Sequence, residues 1–257
     1  MRLSVIVITL NEASRLPACL ASVAFADEIV VLDNGSTDGT QELARRLGAR
    51  VEETSDWPGF GPQKNRALAL ATGDWVLSVD ADEQVTPALR EGIVQAMQRS
   101  DFVAYSINRH SSYCGQFIDH SGWYPDRIVR LFKRGGARFS DDLVHESLRP
   151  DGPTGHIEAD LLHHSFADFE TVLDKVNRYS TAGARDLMAR GVEGTFGKAL
   201  RHGFWAFVRT YVARRGFLDG RMGLALAISN AQGTYYRYLK LWLLQRQASA
   251  TGAPRQP

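Results

Sequence analysis

The chain has 257 residues, a formal net charge of +1, 44% hydrophobic residues and 23% charged residues. Those proportions belong to a globular protein and exclude a chain disordered along its whole length. The length allows one large domain, or one domain with a helical appendage.

The opening MRLSVIVITLNE has an apolar run too short for the core of a signal peptide, and it reads as a first strand, Leu3–Thr9. A helix is expected from Leu16, with Pro17 in its first turn, where a missing N–H costs little. Glu28–Asp33 is a second strand, running into the turn formers Asn34, Gly35, Ser36, Thr37, Asp38 and Gly39. Residues 40–47 read as a helix capped by Asp38 or Thr40 and ended by Gly48, and residues 49–53 as a third strand. GFGPQKNRALALATG is a Gly/Pro loop followed by a helix that Gly73 stops. Residues 75–80 form a fourth strand that runs into Ala81, Asp82 and Glu83, and Thr86 then caps a helix with Pro87 at its first position. Strands separated by helices predict parallel βαβ units, with right-handed crossovers and helices on both faces of the sheet.

Beyond residue 100 the pattern changes. DFVAYSINRH and DRIVRLFKRG read as strands of a mixed extension, with polar, His-rich loops between and after them. From Phe169 the pattern is helical, and the end, ASATGAPRQP, has the composition of a disordered tail. The expected organisation is a domain over residues 1–168, a helical extension over 169–247 and a tail over 248–257. The two cysteines, Cys19 and Cys114, have no metal-ligand spacing, and a reducing cytoplasm is the expected compartment.

Ligands of open α/β sheets bind beyond the carboxyl ends of the strands. Thr9, Asn11, Glu12, Asp33, Asp80 and Asp82 fall at such ends. Two acidic strand ends repel each other unless a positive charge lies between them. A divalent cation with a diphosphate satisfies that requirement, because Mg²⁺ or Mn²⁺ takes oxygen ligands, typically one or two carboxylates and substrate phosphates. Asp38 reads better as a cap of the following helix, and Asp33 as a ligand contact.

VIVITLNE, EIVVLDNGSTDGT and GDWVLSVDADE, in this order, resemble the motifs of family 2 glycosyltransferases of the GT-A fold over roughly residues 1–100. WYPDRIVRLFKR, VHESL, LLHHSF, KVNRYS and RGFLDGRMGLALA extend the resemblance to about residue 245, toward a branch with bacterial lipopolysaccharide core glucosyltransferases. The resemblance implies a mixed, mainly parallel, Rossmann-like sheet with helices on both faces and a C-terminal helical extension. It places Thr9, Asn11 and Glu12 in the nucleotide pocket, Asp33 at the base or ribose, and Asp80 near the ribose and diphosphate. Asp82 becomes the principal Mg²⁺ or Mn²⁺ ligand, with Asp80 beside it. Lys64 pairs with the diphosphate, the alternative being a solvated lysine early in a helix. Of His163 and His164, His163 is the candidate to reach the metal.

Inverting transfer also needs a base for the acceptor hydroxyl. Asp141, Asp142 and Glu146 in SDDLVHES are candidates. Glu146, within the VHE match, is preferred and Asp142 is second; His145 is a metal or phosphate ligand or a scaffold residue. The implied reaction moves a hexose, glucose from UDP-glucose, to a lipopolysaccharide inner-core heptose or a similar lipid-linked glycan.

Three other readings compete. A sugar nucleotidyltransferase would need a Gly-rich basic loop after the first strand, where LNEASRLPA has no glycine. A polyprenyl-phosphate sugar synthase of the same family fits the VHE and FLDG segments less well. A non-catalytic nucleotide-sugar-binding scaffold would have little reason to keep Asp80, Asp82 and Glu146 together.

Residues 196–247 hold nine Lys or Arg against the single acid Asp219, interleaved with aromatic residues. FWAFVRTYVARRGF is broken by Arg209, Arg214 and Arg215, so no stretch approaches the ~20 apolar residues of a membrane span. The expected partner is an anionic membrane surface, with the protein peripheral on the inner face of the inner membrane. No nucleic-acid motif is visible.

Overall fold

The computed structural model describes residues 1–140 and 147–250. The chain divides into two compact units, one made of Met1–His110 with Pro125–His163, the other of Ser111–Tyr124 with the chain from His164 onward. Residues 111–124, read from the sequence as part of the first domain, thus cluster with the helices.

In the first unit the alternating half forms as expected, with β1 (Leu3–Thr9), α1 (Leu16–Ser22), β2 (Glu28–Asp33), α2 (Thr40–Arg46), β3 (Arg50–Glu53), α3 (Phe60–Leu70), β4 (Trp75–Ser78) and α4 (Pro87–Met97); a short strand not read from the sequence, β5 (Glu83–Val85), lies between β4 and α4. The later strands are β6 (Ala104–Tyr113), β7 (Gln116–Phe117), β8 (Asp126–Lys133), β9 (Ala137–Phe139), β10 (Leu148–Pro150) and β11 (Thr154–Phe166). The main sheet runs β3-β2-β1-β4-β8-β6-β11-β5, with β7 added to β6. β1 pairs in parallel with β2 and β4, and β2 with β3, whereas β8 pairs antiparallel with β4 and β6, and β11 with β5. β9 and β10 form a separate ribbon. This is a mixed α/β sheet, its parallel half continued by an antiparallel one.

Strand side chains alternate between faces, and the two main cores follow that alternation. Val5, Val7 and Val31 pack with Leu16 and Leu20 of α1, Ala44 of α2, and Leu89 and Ile93 of α4. Ile6, Val30 and Leu32 pack with Ala67 of α3 on the other face. Thr86 caps α4 by accepting from Leu89 N at 3.2 Å, with Pro87 opening the helix. Gly73 follows α3 because nothing larger fits: a Cβ there would lie 2.8 Å from Ser4 N.

One expectation fails. Residues 154–166, taken for a polar His-rich loop, are the longest strand of the sheet. The strand lies between β6 and β5, with Leu161 against Val85 and His163 against Glu83, and its alternating Ile157, Ala159 and Leu161 face the core.

The second unit holds α5 (Phe169–Ala189), α6 (Phe196–Val208), a π-helical turn (Arg209–Ala213), a 3₁₀ turn (Gly216–Asp219) and α7 (Gly220–Ala250). Asp168 and Thr195 cap α5 and α6. α7 packs along both helices. It continues to Ala250, into the segment read as a disordered tail; residues 251–257 lie outside the described residues. Among the described residues no helix is long and apolar enough to cross a membrane.

Candidate active site

Parallel pairing brings the ends of β1 and β2 level, Thr9 opposite Asp33. The loops that follow are laced together. Asn11 N donates to Ser36 Oγ at 2.8 Å, Asn11 Oδ1 accepts from Thr37 N at 2.9 Å, and Glu12 N donates to Thr40 Oγ1 at 2.9 Å. Asn11 holds φ at +56°, a left-handed conformation that asparagine tolerates better than most residues. Asp38 accepts from Ala13 N at 3.0 Å and from Thr40 N at 3.1 Å, so it serves the turn; the N-cap of α2 expected at Asp38 or Thr40 is instead Gly39, with φ of +88° and no side-chain cap.

Asp33 is more deeply committed than the sequence suggests. It is fully buried, and its carboxylate accepts from Thr9 Oγ1, Ser36 Oγ, Gln41 Nε2, Gly35 N and Ser36 N at 2.6–3.0 Å. With both oxygens engaged, it organises the turn after β2.

The second acidic end is a short turn, Asp80-Ala81-Asp82-Glu83. Glu83 N donates to Asp80 O at 2.9 Å, and Asp80 N donates to Glu83 Oε2 at 2.9 Å. Asp80 is met by two cations, Lys64 Nζ at 2.9 Å on one oxygen and Arg130 Nη2 at 2.7 Å on the other. The same Arg130 nitrogen reaches Glu83 Oε1 at 2.7 Å. Burial alone would raise the Asp80 pKa, but Arg130 and Lys64 outweigh it and hold the carboxyl well below the usual range. Glu83, wholly buried, is shifted upward by burial and by Asp80, against the pull of Arg130 and His163.

Lys64 is only 5% exposed, which sets aside the solvated-lysine alternative. Arg130, on β8, is a central residue that the sequence reading did not single out. Its only local signal is an arginine inside the apolar run 128–132.

Asp82 projects from the same turn. Since β11 pairs with β5 at Glu83, the neighbouring His163 reaches it, with Nε2 at 3.5 Å from Asp82 Oδ2. His164, next along the strand, packs its ring on Phe117, 5.5 Å between centroids. Glu12 feels the same acidic field: burial raises its pKa, and Asp82, Asp38 and Asp80 add to that against Arg15.

Among the described residues no group of three or more His, Cys, Asp or Glu is placed to hold a metal. Asp80, expected as a shared ligand, has each oxygen taken by a cation. Asp82 and His163 remain, and they suit a divalent ion that draws its other ligands from diphosphate and water. Asp141, Asp142, His145 and Glu146 lie outside the described residues.

The sequence pattern of Glycosyl transferase family 2 matches residues 4–147, the stretch that carries this turn, Lys64 and Arg130. The chain belongs to this family. An uncharacterized glycosyltransferase of Rickettsia prowazekii is 30% identical to it, over 93% of this chain and 86% of that protein. The lipopolysaccharide core biosynthesis glycosyltransferase LpsC of Rhizobium meliloti is also 30% identical, over 92% of this chain and 93% of that protein. Solved structures similar to this glycosyltransferase include glucosyl-3-phosphoglycerate synthase from Mycobacterium tuberculosis in complex with Mn²⁺, UDP and glucosyl-3-phosphoglycerate. That match has 28% identity and a TM-score of 0.38, covering 42% of this chain and 44% of that one.

Proposed function

We propose that this glycosyltransferase is an inverting, metal-assisted enzyme that moves glucose from UDP-glucose to a lipid-linked glycan of the lipopolysaccharide core type. The observation that carries the reading is the pairing of Asp82 with His163 beside an Asp80 already neutralised by Lys64 and Arg130. Such an edge attracts a cation at Asp82, and Lys64 offers an ammonium to a diphosphate. When bound, Mg²⁺ or Mn²⁺ supplies charge stabilisation of the departing diphosphate. Thr9, Asn11 and Glu12 border the nucleotide pocket, and Asp33 keeps its turn in shape. Glu146 takes the proton of the acceptor hydroxyl as that oxygen attacks the anomeric carbon, with Asp142 as the alternative base. The attack displaces UDP from the opposite side and gives a β-linked product from an α-linked donor.

The match to LpsC along nearly the whole chain supports a lipopolysaccharide core acceptor. Attachment to the inner face of the inner membrane is supported by the second unit. There Phe204, Trp205, Val212, Phe217 and Leu218 are about half or more exposed, close in sequence to Arg201, Arg215 and Arg221. The deciding experiment measures UDP release from several nucleotide sugars, with truncated lipopolysaccharide cores or polyprenyl phosphate as acceptor, with and without chelator. Metal-dependent transfer from UDP-glucose to a core acceptor is the expected result. Transfer to polyprenyl phosphate alone, or turnover untouched by chelator, would overturn the reading.

A further inference from the structure

The second unit contains a cavity of about 400 Å³, within the ~300–1,000 Å³ typical of small-molecule sites. Its walls come from the 111–124 excursion, α5, the π-helical turn and α7. Four cationic side chains line it, Lys175, Arg209, Arg214 and Arg237, and no Asp or Glu does. Among the described residues none of the four forms an ion pair with a carboxylate. Like charges gathered around one space repel, and an anion entering it relieves them.

The surroundings hold these cations in place. Gly122 has φ of +77°, and a Cβ there would stand 2.4 Å from Arg214 Cδ; a Cβ on Gly183 would stand 2.7 Å from Arg237 Nε. Any larger residue at either glycine would push a guanidinium aside. Lys175 donates to Ser165 O at 3.2 Å and sits 4.3 Å over the Phe166 ring. Arg209 and Thr210 belong to the five-residue π-helical turn, a backbone register frequent at functional sites.

The rest of the lining is neither a lipid groove nor a bare ion site. Ser180, Thr210 and Ser229 are buried there, with Tyr113 Oη 2.7 Å from Ser229 Oγ. Trp123 and Phe166 stack at 5.8 Å and close one side. Guanidinium groups match phosphate oxygens in a fork geometry, hydroxyls and Asn230 match the polar rim of a polyol, and the aromatic rings match its C–H face.

The geometry points to a binding site for a phosphorylated sugar, with the phosphate among Arg209, Arg214, Arg237 and Lys175 and the ring against Trp123. Under the glycosyltransferase reading above, on which this role rests, the ligand is a phosphate-bearing sugar of the acceptor.

Calorimetric titration of the full chain tests it, with glucose 6-phosphate, inorganic phosphate and glucose as probes and phosphatidylglycerol vesicles as a separate arm. Glucose 6-phosphate is expected to bind more tightly than phosphate, glucose to show no binding at the same concentration, and added salt to weaken the complex. Arg237→Gln and Arg209→Gln, each checked for cooperative thermal unfolding, should each weaken glucose 6-phosphate at least tenfold. Unchanged affinity in both variants, or no glucose 6-phosphate binding by the wild type, overturns the inference. So does vesicle binding that both variants lose without any sugar-phosphate binding, which would assign the phosphate to a lipid headgroup. UDP binding on the same samples reports on the donor site separately. A protein that binds UDP but no sugar phosphate refutes this site and leaves the glycosyltransferase reading standing.

Discussion

Lys64 and Asp80 form a 2.9 Å ion pair in which the lysine is nearly buried and the carboxylate carries a second partner, Arg130. The pair holds an ammonium at the strand ends without leaving it uncompensated. Lys64→Gln removes the charge while Asp80 keeps Arg130, so the fold should persist. Loss of one charge-assisted contact, worth ~1.5–3 kcal/mol, should weaken UDP by roughly tenfold or more. Titration calorimetry with UDP checks this, and an unchanged affinity would remove Lys64 from the donor site.

Arg130 has the opposite character: it serves two carboxylates, one of them wholly buried. Arg130→Met leaves Glu83 without its cation, and breaking a buried pair typically costs ~3–5 kcal/mol. Arg130→Lys should recover only part, since a shorter side chain must carry its ammonium to the place where Nη2 meets both carboxylates.

The loss should depend on pH in a defined direction. Glu83 already has a raised pKa in the folded protein, and removing Arg130, which lowers it, moves it further up. A folded-state pKa above the unfolded value of ~4.3 means that the folded state binds more protons in that window. Stability then falls as pH rises through it. The variant should therefore lie closer to wild type at pH 5 than at pH 8 in urea denaturation. Asp80 acts in the reverse sense: its depressed pKa gives stability that is present above the ordinary carboxylate value and lost as pH falls below it. A variant deficit that does not change between pH 5 and 8 would show that Glu83 is not the group responsible.

The sequence made the parallel half legible because local signals agreed there: apolar strands, Pro87 and Thr86 at a helix start, and turn formers after Asp33. It disguised β11: Ile157, Ala159 and Leu161 alternate with Glu158 and Asp160 as strand residues do, but the surrounding histidines and polar residues look like loop; the strand lies between β6 and the three-residue β5. It placed Asp80 and Asp82 together but not the division between them, which depends on Arg130 arriving from β8, 50 residues later. It placed Asp33 at a strand end but did not show the ring of protein donors that meets its carboxylate there.

Asp82 and His163 differ in their expected weight at the metal. Asp82→Ala should abolish UDP release from UDP-glucose while leaving the circular dichroism spectrum unchanged. His163→Ala should keep activity but raise the Mn²⁺ or Mg²⁺ concentration needed for half-maximal rate, since it removes one neutral ligand and leaves the carboxylate. Metal titrations of turnover distinguish the two, and full activity of the Asp82 variant would remove the carboxylate from the mechanism.

Glu146 and Asp142 are separated by chemistry that binding does not report. Glu146→Gln keeps size and loses the basic oxygen, so turnover should fall by ~10²-fold or more with UDP affinity nearly unchanged. Asp142→Asn should be milder. If the asparagine variant is inactive and the glutamine variant is not, the two roles are exchanged; if both are active, the base lies elsewhere.

The exposed aromatics of the second unit make the membrane reading testable through salt. Trp205 is 59% exposed on α6, and Phe217 and Leu218 lie 49% and 55% exposed in the 3₁₀ turn beside Arg215. Apolar insertion is insensitive to salt, whereas attraction of arginine to anionic headgroups fades once the Debye length shrinks to a few ångströms near ~1 M salt. Flotation with phosphatidylglycerol vesicles should therefore be strong at low salt and reduced at high salt, and Trp205→Ser combined with Phe217→Ser should lower it under both conditions. Arg215→Gln with Arg221→Gln should weaken the low-salt binding alone. Failure of the wild type to float with anionic vesicles at low salt would leave these rings as ordinary helix surface and detach the membrane from the proposed function.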